Sequence, residues 1–271
     1  MIRSAQDSRV EGREVFKDLR KTGWGAVQQL GTGSSYTSAD SMGNFETVPP
    51  HSVNGKTYPA GRVITGQHGN KPFLLPFFEA QEVQDPILLD TSWLYVGHVD
   101  EFMQFLPTQS PRGWVIMADD PGAGLELLRR AQAGGYGSTN LFSRQKGEAG
   151  PKCGKCHGGW RCRPEKVPGI TINEILRPAK RSWRDLVKTN ERCAAKIENN
   201  LDNLKRTTGI TEDEIHRISA LYETAGFGIY PYPPKHEPER SQALSYIPGI
   251  INGRTYTHMQ ACNTLSYGVV R

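Results

Sequence analysis

The sequence predicts an α/β protein. Short apolar strands alternate with helical pieces between residues 62 and 133, and no glycine-rich phosphate loop follows any of the strands. Gly 29 and Pro 18 in 271 residues imply many tight turns and short elements rather than a helical bundle. At roughly 150 residues per domain, this length makes one large domain or one domain with an appendage.

In chain order, residues 34–54 read as turns and short extended pieces that close on Asn54-Gly55, a strong hairpin signal. Arg62 to Gly66 is a short strand. Pro72 to Glu82 carries Phe73, Leu74, Leu75, Phe77 and Phe78 at helical spacing, with Pro76 working against its interior. Pro86 to Leu89, Trp93 to Val99 and Trp114 to Met117 read as strands. Gly124 to Ala133 is a helix closed by Gly134-Gly135. Ile170 to Leu176, Trp183 to Val187 and Cys193 to Leu204 are further helical pieces. Thr211 and Glu214 form a capping box that opens a short helix through Ile218. The last forty or so residues show no convincing long element.

Composition excludes several classes. Apolar residues are 37 % and charged residues 23 %, with a mean hydropathy of -0.55. No apolar run approaches the roughly 20 residues that cross a membrane. The first twenty residues are charged throughout and lack the apolar core of a secretion signal. Of five cysteines, four fall between Cys153 and Cys193, which is not the spread of a disulfide framework. A cytoplasmic protein is expected. The net charge of +5 is small, and the densest basic patch, around Lys152 to Lys166, has only Trp160 to stack on a base. Nucleic acid is therefore a poor candidate partner.

The chemistry concentrates in Gly97-His98-Val99-Asp100-Glu101. On a strand, period two places His98 and Asp100 on one face with Val99 on the other. An imidazole beside a carboxylate at a strand end suits acid/base work. Asp90, Asp100 and Glu101 add a negative character fit for a metal or a guanidinium group. The ordinary alternative is a hydrogen-bonded turn.

The stretch Asp90-Thr91-Ser92-Trp93-Leu94-Tyr95-Val96-Gly97-His98-Val99-Asp100-Glu101-Phe102 resembles the central motif of the protein-arginine deiminases. Asp40-Ser41-Met42-Gly43-Asn44-Phe45-Glu46-Thr47-Val48-Pro49-Pro50, then Val53 to Lys56 and Gly61-Arg62, resemble the preceding block. Phe77 to Val83, Met117 to Phe142, Ile170 to Ile175 and Gly209 to Tyr222 continue the series. The resemblance implies a partial pentein-type α/β propeller of ββαβ modules, over residues 1–253. A Cys/Gly-rich insertion lies at about 146–168 and a divergent tail at 254–271. It also implies hydrolysis of peptidyl arginine to citrulline through a cysteine adduct, with His98 as general acid/base and Asp100 holding the guanidinium. Arginine-containing proteins or peptides are then the substrates. Calcium is the implied activator, with the Glu46 carboxylate and the backbone near Met42 and Phe45 as part of one site.

Three departures bear on activity. The first aspartate of the family motif falls upstream of the segment that Arg3 to Arg9 resembles, so the chain is expected to be truncated at both ends. Cys262 follows Ile247 to Asn252 by only ten residues. Its flanks, Gln260-Ala261 and Asn263-Thr264-Leu265, keep little of the nucleophile motif. Gln29 stands where the animal enzymes carry a substrate-contacting arginine. As a fragment the chain is expected to be inactive or incomplete.

A rival reading starts from the cysteine cluster. Cys153-Gly154-Lys155-Cys156-His157 has the form of a c-type haem attachment site. Cys153, Cys156, His157 and Cys162, with Cys193 as a substitute, would instead supply sulfur and nitrogen to zinc in a non-catalytic binding module. A glycine- and lysine-rich loop of free thiols is the third option.

Overall fold

The structure is a computed structural model describing residues 14, 16–22, 40, 44–69, 71–83, 85–140, 171–178 and 185–222. It also describes the backbone of 223–225, 237–246, 249–251, 254–261 and 264–269. The chain divides into two compact units, Met1–Asp119 with Lys196–Arg217 and Asp120–Ala195 with Ile218–Arg271. Among the described residues, no helix is long and apolar enough to cross a membrane.

In the first unit, β1 (Phe45–Val48) runs antiparallel to β4 (Arg62–Gln67). The chain then passes through α1 (Leu75–Glu79) into β5 (Ile87–Asp90), which pairs parallel to β4. The result is a three-stranded sheet of order β1-β4-β5. Its parallel pair needs the crossover that α1 supplies. The hairpin of β2 (His51–Val53) and β3 (Lys56–Tyr58) is inserted between β1 and β4. Asn54 and Gly55 turn it with φ of 50° and 77°, the double left-handed conformation of a tight hairpin. β6 (Met103–Pro107) pairs antiparallel with β7 (Trp114–Asp120).

Along the β5 edge of this sheet runs part of α4 (Leu186–Thr208). Ile197, Leu201 and Leu204 are fully buried at helical spacing, a single apolar stripe. The helix starts at Asp185, whose carboxylate accepts from the Lys188 amide at 3.2 Å. It stops at Thr208, where Thr207 and Thr208 hydroxyls turn back onto the Asn203 and Leu204 carbonyls, each at 2.8 Å. Arg62 and Arg112 donate to the orphan carbonyls of Thr207 and Gly209, each at 2.7 Å.

In the second unit, α2 (Pro121–Ala131) is capped by Asp120, which accepts from the Ala123 amide at 2.8 Å. Leu125 and Leu128 pack with Ile172 and Ile175 of α3 (Ile172–Ile175), with Leu186 and with Leu221. Leu221 lies on β8 (Ile215–Ala225), which pairs antiparallel with β9 (Glu237–Tyr246). Strands β10 (Gly249–Ile251), β11 (Arg254–Ala261) and β12 (Thr264–Val269) form an antiparallel meander.

The α/β class stands, and several boundaries differ from the sequence reading. The helix expected over Pro72 to Glu82 shrinks to α1, because Pro76 is accepted only in the first turn. α2 begins three residues before Gly124, since Pro121 is a favoured first helical residue once Asp120 caps it. Cys193 to Leu204 extends at both ends into the single helix α4, while Trp183 lies outside the described residues. Thr211 and Glu214 do pair, but the helix is one turn, Glu212–Glu214, and β8 replaces the rest. The β-branched and apolar residues from Ile215 onward favour a strand. The last forty residues hold strands where no long element was expected.

Candidate active site

The largest local correction falls on the motif itself. Trp93 to Val99 is a set of turns with an isolated bridge rather than a strand. The Trp93 indole donates to the Asp90 carbonyl at 2.9 Å, and the Leu94 amide bonds back to Thr91 at 3.1 Å, so the chain folds onto itself. Gly97 then takes φ 84°, outside the region of regular strands. A Cβ on Gly97 would overlap the His68 ring, whose Nδ1 lies 3.0 Å from the Thr91 carbonyl oxygen. His98 is extended, and Val99–Glu101 form one turn of 3-10 helix.

His98 and Asp100 nevertheless come together. Nδ1 and Oδ1 are 3.9 Å apart, with the side chains 15 % and 11 % exposed. Val99 between them is fully buried. The juxtaposition inferred from strand alternation is thus achieved by a turn.

Carboxylates crowd this turn. Burial pushes the Asp100 carboxyl up to about 6, partly opposed by its own backbone amide. Glu46, on β1, is also pushed up to about 6, first by burial and then by the negative charge of Asp100. Burial drives Glu101 furthest, to about 8, against hydrogen bonds from the amides of His98 and Gly97. Neither Glu46 nor Asp100 has an ion-pair partner among the described lysines and arginines. A positive charge placed beside these two carboxyl groups would favour their ionised forms.

Two polar residues outside the motif support this arrangement. Asn44, read as a turn residue, is fully buried. It pairs with both backbone groups of Gly66, donating to its oxygen at 2.7 Å and accepting from its nitrogen at 2.9 Å. That pairing fixes the start of β1, and hence Glu46, against β4. His68 fills the space beneath Gly97. Neither partner is adjacent in sequence, so no local pattern announced either one.

The resemblance assigns Glu46 and the backbone near Met42 and Phe45 to a calcium site. Glu46 offers one carboxylate, and Phe45 is described while Met42 is not. Among the described residues, no group of three His, Cys, Asp or Glu is placed to hold a metal. Those residues do not make a calcium site by themselves. Cys153, Cys156, His157, Cys162, Cys262 and Gln29 lie outside the described residues. Cys193 is fully buried in α4.

His98, Asp100 and the Glu46 carboxyl are thus gathered at one turn of an α/β scaffold. A model of the family described as "Protein-arginine deiminase (PAD)" matches residues 1–263. Human protein-arginine deiminase type-3 is 31 % identical over 246 residues, covering 88 % of this chain and 32 % of that protein. Mouse protein-arginine deiminase type-4 is 33 % identical over 227 residues, covering 81 % of the chain and 29 % of the relative. Rat type-4 is 34 % identical over 198 residues, covering 70 % and 26 %. The chain belongs to the protein-arginine deiminase family. It spans about a third of the length of the curated relatives it matches.

Proposed function

We propose that this chain carries part of the active site of a protein-arginine deiminase, which hydrolyses peptidyl arginine to peptidyl citrulline and ammonia. In this reading it contributes a pentein-type α/β segment over residues 1–253, with an insertion at about 146–168 and a divergent tail at 254–271, and it works in the cytoplasm. The observation that carries the proposal is the His98–Asp100 pair, 3.9 Å apart and mostly buried, with a carboxyl raised to about 6 and, among the described residues, no lysine or arginine paired with it.

Asp100 would accept the guanidinium N–H groups. A thiolate would add to the guanidinium carbon, forming a C–S bond. His98 would give a proton to the departing nitrogen as the C–N bond breaks and ammonia leaves. Water would then add to the same carbon and lose its proton to His98. The C–S bond breaks, leaving the citrulline urea and the thiol. None of the five cysteines carries the expected nucleophile flanks, so the 271-residue chain is expected to bind arginine without substantial turnover.

The test is binding of an arginine peptide by calorimetry at pH 7.5, alongside citrulline release with and without calcium. Expected are measurable binding, at least about tenfold weaker in Asp100→Asn, and citrulline at background. Equal binding of a lysine-for-arginine peptide, or no effect of Asp100→Asn, would overturn the site. Robust turnover lost in Cys262→Ala would make Cys262 the nucleophile.

A further inference from the structure

Glu101 belongs to the acidic group around the motif, yet its contacts set it apart. Its Oε1 accepts the His98 amide at 2.8 Å. The Gly97 amide also donates to this carboxyl group. These are consecutive backbone N–H groups, one on the positive-φ glycine and one on the residue that bears the imidazole. The three-residue 3-10 turn Val99–Glu101 brings the carboxyl back over its own start. Without that acceptor, the two amides would be left to solvent or to nothing.

We propose that Glu101 is a positioning residue: its carboxyl group holds the amides of Gly97 and His98 and thereby fixes where the His98 imidazole stands beside Asp100. The remaining contacts of the turn act in the same sense. His68 fills the space against Gly97, and the Phe102 amide closes onto the Val99 carbonyl at 3.3 Å. The Asp119 amide then ties Phe102 to β7 at 2.9 Å. Glu101 reaches the His98 backbone directly. Reach to two amides is the requirement, not charge. A neutral side chain of the same length with a carbonyl oxygen meets it, and a shorter carboxylate does not. What the imidazole does chemically rests on the deiminase reading; the hold on the backbone does not.

The experiment compares Glu101→Gln, Glu101→Asp and Glu101→Ala in the full chain. Amide hydrogen exchange is read over residues 95–101, with the α4 segment around Leu201 as an internal control of folding. Expected is wild-type protection in E101Q, and exchange faster by about tenfold or more in E101D and E101A, the loss of a buried hydrogen bond. Arginine-peptide affinity is read beside it, where D100N is expected to fall further than E101Q. Protection kept in E101D and lost in E101Q would overturn the proposal, because charge would then be the requirement. So would unchanged protection in E101A, or an affinity loss in E101Q equal to that in D100N, which would make Glu101 a cation ligand. If even the wild-type chain binds no arginine peptide, the deiminase reading fails, and the exchange pattern still decides the role of Glu101. Should E101A not fold, the contrast between Gln and Asp carries the decision.

Discussion

Asp90 and Asp100 lie ten residues apart in the same unit, and the fold treats them in opposite ways. Burial pulls the Asp90 carboxyl upward, but Lys196 and the hydroxyl and amide of Ser92 outweigh it, leaving the group below its usual range. Its backbone is matched as fully: the Asn200 side chain accepts from the Asp90 nitrogen at 2.9 Å and donates to its oxygen at 2.8 Å. Lys196, Asn200 and Asn203 are spaced four and three apart along α4, so one helix face lines the edge of β5. Asn203 adds a bond to the Leu88 carbonyl at 3.0 Å. Asp100 is the more buried side chain and, among the described residues, has only its own backbone amide to oppose that burial, while Glu46 adds a second raised carboxyl beside it. Compensation is supplied where the sheet needs an edge closed, and is far weaker at the motif turn.

The largest expected effect comes from breaking the matched side. Asn200→Ala removes both partners of the Asp90 backbone and leaves a donor and an acceptor unpaired beside a nearly buried position. The expected loss is about 2–4 kcal/mol of unfolding free energy, read by urea denaturation at pH 7. A loss under about 1 kcal/mol would mean that water replaces the amide and that the edge needs no clamp.

Removing charge from the unmatched side should do the reverse. The folded-state pKa of Asp100 lies near 6, above its ordinary 3.8. Between those values the folded protein holds a proton that the unfolded chain has released, so stability falls as pH rises through that window. Below it Asp100 costs nothing, and above it the full penalty applies. Asp100→Asn is therefore expected to stabilise the chain by up to about 3 kcal/mol at pH 7.5, with the gain vanishing by pH 4. Thermal unfolding across that range checks it. A gain independent of pH would mean that Asn packs better and that the carboxylate was never strained. The same variant is expected to lose arginine binding, the usual exchange of stability for function at a site.

This contrast also marks how far the sequence can be read. The hairpin at Asn54-Gly55, β4, β5, β7 and α2 followed from local chemistry, because turn residues and apolar spacing decide such elements. The proximity of His98 and Asp100 was legible too, although by the wrong route. Alternation through Trp93 to Val99 mimicked a strand, while Trp93 and Leu94 are buried neighbours and Gly97 is left-handed. What was illegible is the set of partners far along the chain. Asn200 lies 110 residues from Asp90, and Asn44 lies 22 from Gly66. A side-chain amide that imitates a peptide group has no periodicity. The raised carboxyl groups are illegible for the same reason, since burial and the meeting of Glu46 with Asp100 exist only once β1 and the turn are folded.

The smallest effect sharpens the comparison most. Asp90 and Lys196 are bonded at 2.7 Å, but their side chains are 44 % and 38 % exposed, so water and salt screen the pair. Lys196→Met at pH 7 is expected to cost under about 1 kcal/mol, and a double-mutant cycle with Asp90→Asn isolates the pair itself. Its pH response should be the mirror image of that at Asp100. A depressed carboxyl contributes stability above its ordinary 3.8 and loses it as pH falls through the lower folded value. The D90N penalty therefore persists at pH 5, where the D100N gain has already shrunk. Salt separates the two again: 1 M NaCl, with a Debye length of about 3 Å, should abolish most of the Asp90–Lys196 coupling. It should leave the Asp100 effect largely in place, because that effect comes from burial rather than from an exposed partner. A coupling that survives 1 M salt would show that the hydrogen bond, rather than the charge, joins α4 to the end of β5.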